Sequence, residues 1–246
     1  MDGIILAILS VMPRPILIRT DEFPYHITCR TNNKEWFPID IKDCWNILIN
    51  YLEIVSDKYG LKIVSFVLMS NHFHLIASTP FCNIDVIMNY LLREVSKEIG
   101  RKAGRINHIF GNKYKWSLIQ NDLYFSHAYK YLIRNPVKAS IVSRVEDYDY
   151  STFAQLVNGN KLPFDCDNLT NFGDEFVPSD LNQRLEWLNQ PYHPNENSII
   201  RKALNRSIFQ FTKNKTDEKW VKGLLLKRYP VPVKEDKNDL FVHLNR

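Results

Sequence analysis

Fold and chemistry in this chain both centre on the run Val64-Ser65-Phe66-Val67-Leu68-Met69-Ser70-Asn71-His72-Phe73-His74-Leu75-Ile76-Ala77-Ser78. Apolar and β-branched residues lead to a Ser70-Asn71 turn signal and resume after it, which predicts two strands meeting near Asn71. Successive side chains on a strand point to opposite faces, so His72 and His74 share one face and Phe73 points to the other, into a core. Two imidazoles side by side form half of a metal site, because neutral imidazole is a common ligand for divalent ions. Two ligands do not hold a catalytic metal, so a third has to come from elsewhere. A single strand histidine is ordinarily structural; the pair and its partners carry the inference.

The flanking sequence supplies the rest of a sheet. Tyr25-His26-Ile27-Thr28-Cys29-Arg30 alternates with period two and closes on Thr31-Asn32-Asn33, predicting the first core strand, with Ile16 to Arg19 as a short edge strand. From Ile39 to Tyr59, Trp45, Leu48, Ile49, Leu52, Ile54 and Val55 recur at helical spacing and Gly60 supplies a stop. A second helix is expected from Asn83, with a stripe of Val86, Ile87, Tyr90, Leu91, Val95 and Ile99 ending at Gly100 and leaving Arg101-Lys102-Ala103-Gly104-Arg105 as a basic loop. Lys113 to Ile119 predicts a fourth strand. A third helix runs from near Asp122 to Asn135, where Pro136 removes the next backbone donor. The order β-α-β-β-α-β followed by a helix gives an α+β, ferredoxin-like antiparallel sheet with helices on one face.

That third helix is where a partner for the histidine pair is to be sought. Residues four apart share a helix face, so His127, Tyr131 and Asn135 line up, while Phe125, Tyr129 and Leu132 are better placed toward the core. A phenol and a neutral oxygen ligand one turn apart suit a hard divalent ion beside a phosphate. Tyr131 is then a candidate nucleophile. Its ordinary pKa of about 10 makes phenolate scarce at neutral pH, so attack on a phosphodiester needs a general base or a polarising ion.

Length and charge bound the partners. The 246 residues suffice for one large domain, or for one of about 150 residues with an appendage. A net charge of +5 is compatible with a polyanionic partner. Cys29, Cys44, Cys82 and Cys166 have neither zinc-module spacing nor the density of a disulfide scaffold, so a reduced cytoplasm is expected. The apolar stretch Gly3 to Val11 is too short to span a bilayer and lacks signal-peptide flanks, so residues 1–11 are expected to be an extension and no membrane is expected as a partner. Composition shifts after Val157. Asn158-Gly159-Asn160 reads as a linker to a basic, mostly helical region, 158–246, with helical patterns at Leu181 to Leu188, Ile199 to Phe211 and Glu218 to Tyr229. The last two patterns carry Arg201, Lys202, Arg206, Lys213, Lys215, Lys219, Lys222, Lys227 and Arg228; a basic helical pair can be a nucleic-acid arm, while a solvated helix face is the ordinary explanation of any one of these charges.

Several motifs, taken together, are similar to one family. Met12-Pro13-Arg14-Pro15, Tyr25-His26-Ile27-Thr28-Cys29-Arg30, Leu68-Met69-Ser70-Asn71-His72-Phe73-His74-Leu75, Tyr131-Leu132-Ile133-Arg134-Asn135-Pro136-Val137-Lys138-Ala139 and Tyr148-Asp149-Tyr150-Ser151 resemble the single-tyrosine HUH transposases, and within them the REP-associated tyrosine transposases. The resemblance covers about residues 12–157. Ser70 stands where members often have Pro, and Leu132 and Ile133 also depart from the usual pattern, without removing a chemical group the mechanism needs. The resemblance implies a metal-dependent endonuclease and transesterase acting on single-stranded or hairpin DNA. It implies His72, His74 and Asn135 as ligands of Mg2+ or Mn2+, and Tyr131 as the nucleophile that forms a 5' phosphotyrosine. It also leaves a homodimer, and catalysis in cis or in trans, open. Arg30, Arg101, Lys102, Arg105, Lys113, Lys115 and Arg134 surround the site in sequence and are the candidate DNA contacts. Two other classes compete: a non-cleaving nucleic-acid-binding protein on the same fold, and a small-molecule metallohydrolase with a His-x-His strand. Against the second stand the missing further His, Lys and Asp ligands and a length short for a barrel.

Overall fold

The structure, a computed structural model, describes residues 17–106, 108–111, 113–166 and 176–211. Strands β1 (Tyr25–Arg30), β2 (Lys62–Leu68), β3 (His72–Ser78) and β4 (Lys115–Leu118) form one antiparallel sheet in the order β2-β3-β1-β4. Helices α1 (Ile41–Tyr59) and α2 (Ile84–Ala103) make the two crossovers, and α3 (Asp122–Ile133) follows β4. This is the predicted ferredoxin-like order, with the histidine pair on an inner strand. The expected edge strand at 16–19 is not formed by residues 17–19, and residue 16 lies outside the described residues, as do 1–11 and the helical pattern at 218–229.

Strand alternation divides the sheet into two chemically different faces. Tyr25, Ile27 and Cys29 of β1, Phe66 and Leu68 of β2, and Phe73, Leu75 and Ala77 of β3 pack against Trp45, Leu48 and Leu52 of α1 and Ile87, Leu91 and Val95 of α2. A bulge in β2, where pairing passes from Ile63–Ala77 to Ser65–Ile76, sends the extra residue Val64 into the second core. That second face is covered by α3, which packs on β2 and β3, and then by α6 (Leu181–Asn189) and α7 (Pro194–Ala203). Leu188, Ile200, Ala203 and Phe209 share one apolar cluster with Phe125, Tyr129 and Leu132, so this C-terminal layer is continuous with the core over the sheet.

Local chemistry sets the helix ends. The Asp40 carboxylate accepts from the Lys42 N–H (2.7 Å) to start α1, which ends at Gly60 with φ 71°. Asn121 caps α3 by accepting from the Tyr124 N–H at 2.8 Å. Two expected stops fall elsewhere. Helix α2 runs through Gly100 and ends at Gly104 (φ 63°), which puts Arg101 and Lys102 in the last turn rather than in a loop. Gly100 is a packing glycine, since a Cβ there would lie 3.2 Å from the Arg105 carbonyl oxygen. Pro136 opens the short helix α4 (Asn135–Lys138), where a missing N–H costs nothing, instead of ending the helical path.

Both sheet edges are covered. On the β2 side, the Leu68 N–H donates to the Tyr150 carbonyl and the Phe66 N–H to Thr152 Oγ1, both at 2.9 Å, where the chain enters α5 (Thr152–Val157). On the β4 side, the Leu118 N–H donates to the Ser207 carbonyl and the Phe209 N–H to the Leu118 carbonyl, both at 2.8 Å. The pattern expected to be one helix over 199–211 therefore divides into α7 and an extended segment that docks on β4. No helix among the described residues is long and apolar enough to cross a membrane.

Candidate active site

An open groove of about 1070 Å³ lies on the second face. His72 and His74 of β3, Tyr131 of α3 and Asn135 and Lys138 of α4 line it together with Thr28 and Arg30 of β1. The strand period puts both imidazoles on this face with ring centroids 5.0 Å apart and planes at 79°. The Tyr131 ring meets His74 edge-on, with centroids 6.3 Å apart. One chain thus brings the histidine pair, the phenol and the amide to one groove.

The groups differ in how they are held. Burial, with Arg30 adding to it, pushes His72 down to about 4. Burial first, then the neighbouring His26 and His72, holds His74 well below the ordinary imidazole range. Both rings are therefore neutral near pH 7, the form that ligates a metal. Asn135 donates from Nδ2 to the carbonyls of Tyr131 (3.0 Å) and Leu132 (3.2 Å), satisfying the end of α3, and Oδ1 is the side-chain atom with lone pairs to offer a cation. Burial raises the pKa of Tyr131 while Arg201 and Arg30 oppose the rise, so the resting phenol is protonated with cations close by. Lys138 Nζ sits 4.9 Å from the centre of the Tyr131 ring. Its own pKa is lowered by burial and then by Arg201.

Some expected residues fall outside the groove. His127, one turn before Tyr131, is buried in the C-terminal layer, with Nδ1 2.8 Å from the Tyr192 hydroxyl and its ring against Phe211. Helical phase alone misplaces it because α3 is buried around its whole circumference from Tyr124 to Ile133, so a shared face does not imply a shared environment. Of the cationic candidates, Arg30, Lys113 and Lys115 line the groove. Arg101, Lys102, Arg105 and Arg134 do not. Lys102 pairs with Asp43 of α1 at 2.8 Å, Arg105 with Glu35 at 3.3 Å, and Arg134 Nη1 donates to the Leu188 carbonyl at 2.5 Å. Arg101 lies in the last turn of α2 with Lys102.

Other residues reach the groove without having been expected there. Lys138, Asn205 and the α7 residues Arg201 and Lys202 line it. The charge of Arg201 and Lys202 was visible in sequence, but their place depends on how α7 docks on α3. His26 lies beneath His74, with Nε2 3.0 Å from His74 Nδ1 and the rings stacked at 5.1 Å. It shares the alternation of β1, yet only strand register makes it a diagonal neighbour of His74, which pairs with Thr28. Among the described residues no group of three or more His, Cys, Asp or Glu could hold a metal, so any ion here would be held by a mixed imidazole and amide set.

Residues 20–135 match the family model described as transposase IS200 like. Among solved structures, one described as the REP associates tyrosine transposase bound to a REP hairpin aligns at 20% identity and a TM-score of 0.50, over 63% of this chain and 92% of its own. A putative transposase from Deinococcus radiodurans R1 aligns at 15% identity over 52% of this chain and 89% of its own, with a TM-score of 0.34 that is too low to bear on the fold. No curated protein matches. The first alignment shows the fold, and the family match contains the two strand histidines, the helix tyrosine and, as its last residue, Asn135. Over residues 20–135 this chain is therefore similar to the transposase IS200-like family.

Proposed function

We propose that this chain is a metal-dependent single-strand DNA endonuclease and transesterase, a transposase whose nucleophile is Tyr131. What supports the reading is the meeting of His72, His74, Asn135 and Tyr131 in one groove of one chain, beside Arg30, Lys138 and Arg201. Two neutral imidazoles and an amide oxygen form a donor set that fits a divalent ion of the Mg2+ or Mn2+ class. His72, His74 and Asn135 would hold such an ion, and the chemistry it would supply is Lewis-acid polarisation of the scissile phosphate.

The chain's own side chains supply the rest. Tyr131 Oη forms the new bond to phosphorus, the bond from phosphorus to the 3' oxygen breaks, and that oxygen takes a proton and leaves as a 3' hydroxyl. The phenolic proton is lost in the same exchange, so the products are a 5' phosphotyrosine and a free 3' end. The phosphodiester energy is kept in the new ester, and a second 3' hydroxyl reverses the step and joins strands without ATP. Lys138, Arg30 and Arg201 favour the anionic phenolate and the phosphate approaching it. The related solved protein is bound to a REP hairpin, which supports hairpin or single-stranded DNA as the partner here. Arg30, Lys113 and Lys115 along the groove suit a phosphate backbone. Since all four reactive side chains come from one chain, the reading favours catalysis in cis.

The test is incubation with a panel of single-stranded hairpins, with and without Mn2+, scored for a denaturation-resistant protein–DNA band. The expected result is a band that needs Mn2+ and disappears in Tyr131→Phe while binding persists. Hairpin binding with no covalent band under any condition would instead establish a non-cleaving DNA-binding protein on this fold.

A further inference from the structure

A neutral imidazole that ligates through one nitrogen carries its proton on the other, so each histidine of a two-histidine site works only in the tautomer that leaves its coordinating nitrogen bare. For His72 the choice can be read from a chain of three groups. Its Nδ1 lies 2.7 Å from Asn71 Oδ1, and Asn71 Nδ2 donates to the Lys34 carbonyl at 2.8 Å. Turning the amide over would set its oxygen against that carbonyl, so the amide orientation is fixed. An oxygen therefore faces His72 Nδ1, which must bear the proton, and Nε2 keeps its lone pair.

For His74 the partner on Nδ1 is another imidazole, His26, through Nε2 at 3.0 Å. One proton lies between the two nitrogens. If His74 donates it, His74 Nε2 is unprotonated and matches His72. If His26 donates it, His74 carries its proton on Nε2 and is lost as a ligand. Only the first arrangement gives two lone pairs on the groove side, since Nδ1 of each ring is already engaged. We propose that His26 and Asn71 are positioning residues that hold His74 and His72 in the Nδ1–H tautomer, so that both Nε2 atoms are presented to the groove as a matched pair of donors. The His72 tautomer follows from its own contacts; that of His74, and the use of the pair as metal ligands, rest on the proposed function.

Long-range 1H–15N correlation spectra of the 15N-labelled wild-type protein, free of metal, read the tautomers directly. The expected result is the Nδ1–H pattern for both His72 and His74. In His26→Phe, which keeps a ring but removes the acceptor, His74 is expected to become a mixture of tautomers while His72 is unchanged. His26→Gln, whose amide oxygen falls near the position of the lost Nε2, is expected to restore the pattern. Asn71→Ala is expected to release His72 and leave His74 as it was. Mn2+ titration of the same samples is expected to weaken about 10–100-fold in His26→Phe and Asn71→Ala. An Nε2–H pattern for His74 in the wild type, or a His74 tautomer indifferent to His26→Phe, overturns the proposal. Nδ1–H rings in a wild-type protein that binds no Mn2+ would support the proposal and count against the metal-dependent function instead.

Discussion

The two faces of the sheet are made from the same strands and have opposite chemistry. On β1, Tyr25, Ile27 and Cys29 meet α1 and α2 in a core of aromatic and aliphatic side chains, while Thr28, Arg30 and His26 turn to the side occupied by α3. Beneath the open groove the second side is enclosed as well, with His26 2% and His74 7% exposed. A buried polar atom without a partner costs more than an apolar one, so this face is the less stable design for a sheet of this size. Its partnered imidazoles, amide and cations are the groups that the proposed reaction needs. The first face teaches what holds the fold, and the second what the fold is for.

Cutting into the first face should give the largest effect on stability. Phe66 is fully buried, with ring centroids 5.7 Å from both Trp45 and Phe73. Phe66→Ala is expected to cost about 3–5 kcal/mol in denaturant unfolding while leaving hairpin affinity per folded molecule unchanged. A loss of affinity without loss of stability would erase the distinction between the faces.

The second face should instead reveal itself through pH. Burial pushes His127 down to about 3 and Lys130 down to about 6, the latter with Arg134 adding and Glu196 opposing. Both folded values lie below the unfolded ones, so in each window the unfolded chain binds the extra proton and stability rises with pH. For His127 the window runs from about 3 to 6.5, and for Lys130 from about 6 to 10.5. Denaturant midpoints measured across pH are expected to climb through both windows. Lys130→Met is expected to flatten the upper one alone, and an unchanged upper slope would mean that Lys130 stays charged in the fold.

A smaller effect separates cations by face. Arg201→Ala with Lys202→Ala is expected to lower the salt slope of single-strand binding by about 0.7 for each phosphate that the pair neutralises, whereas Arg101→Ala with Lys102→Ala leaves it unchanged. The reverse ranking would move the DNA path to the α2 side. The smallest expected change is in Gly104→Ala at the end of α2, where φ is +63° and nothing lies within 4 Å of the added Cβ. A cost of about 1 kcal/mol from backbone strain, with no change in DNA binding, is expected.

How much of this was legible in the sequence follows from range. The period of two around Phe73 was enough to give the two strands, the face shared by His72 and His74, and the core on the other side. Helical stripes placed α1 and α2, because each buries one apolar face against the sheet. Ends were harder, since Gly100 and Gly104 look alike as stop signals and only packing against the Arg105 carbonyl tells them apart. The site's outer wall was least legible. Arg201, Lys202 and the burial of His127 all depend on α6 and α7 returning some sixty residues later to cover α3, and no local pattern specifies that return. His26 was hidden for a related reason, because its closeness to His74 depends on strand register.

The central claim is that the buried-polar face is a reaction site with Tyr131 at its chemical centre. Mass spectrometric mapping of the protein–DNA adduct formed with a hairpin and Mn2+ tests it most directly. The expected product is a 5'-linked nucleotide on the peptide containing Tyr131, and on no other. Its recovery on Tyr124 or Tyr129, or attachment through the 3' end of the DNA, would contradict it.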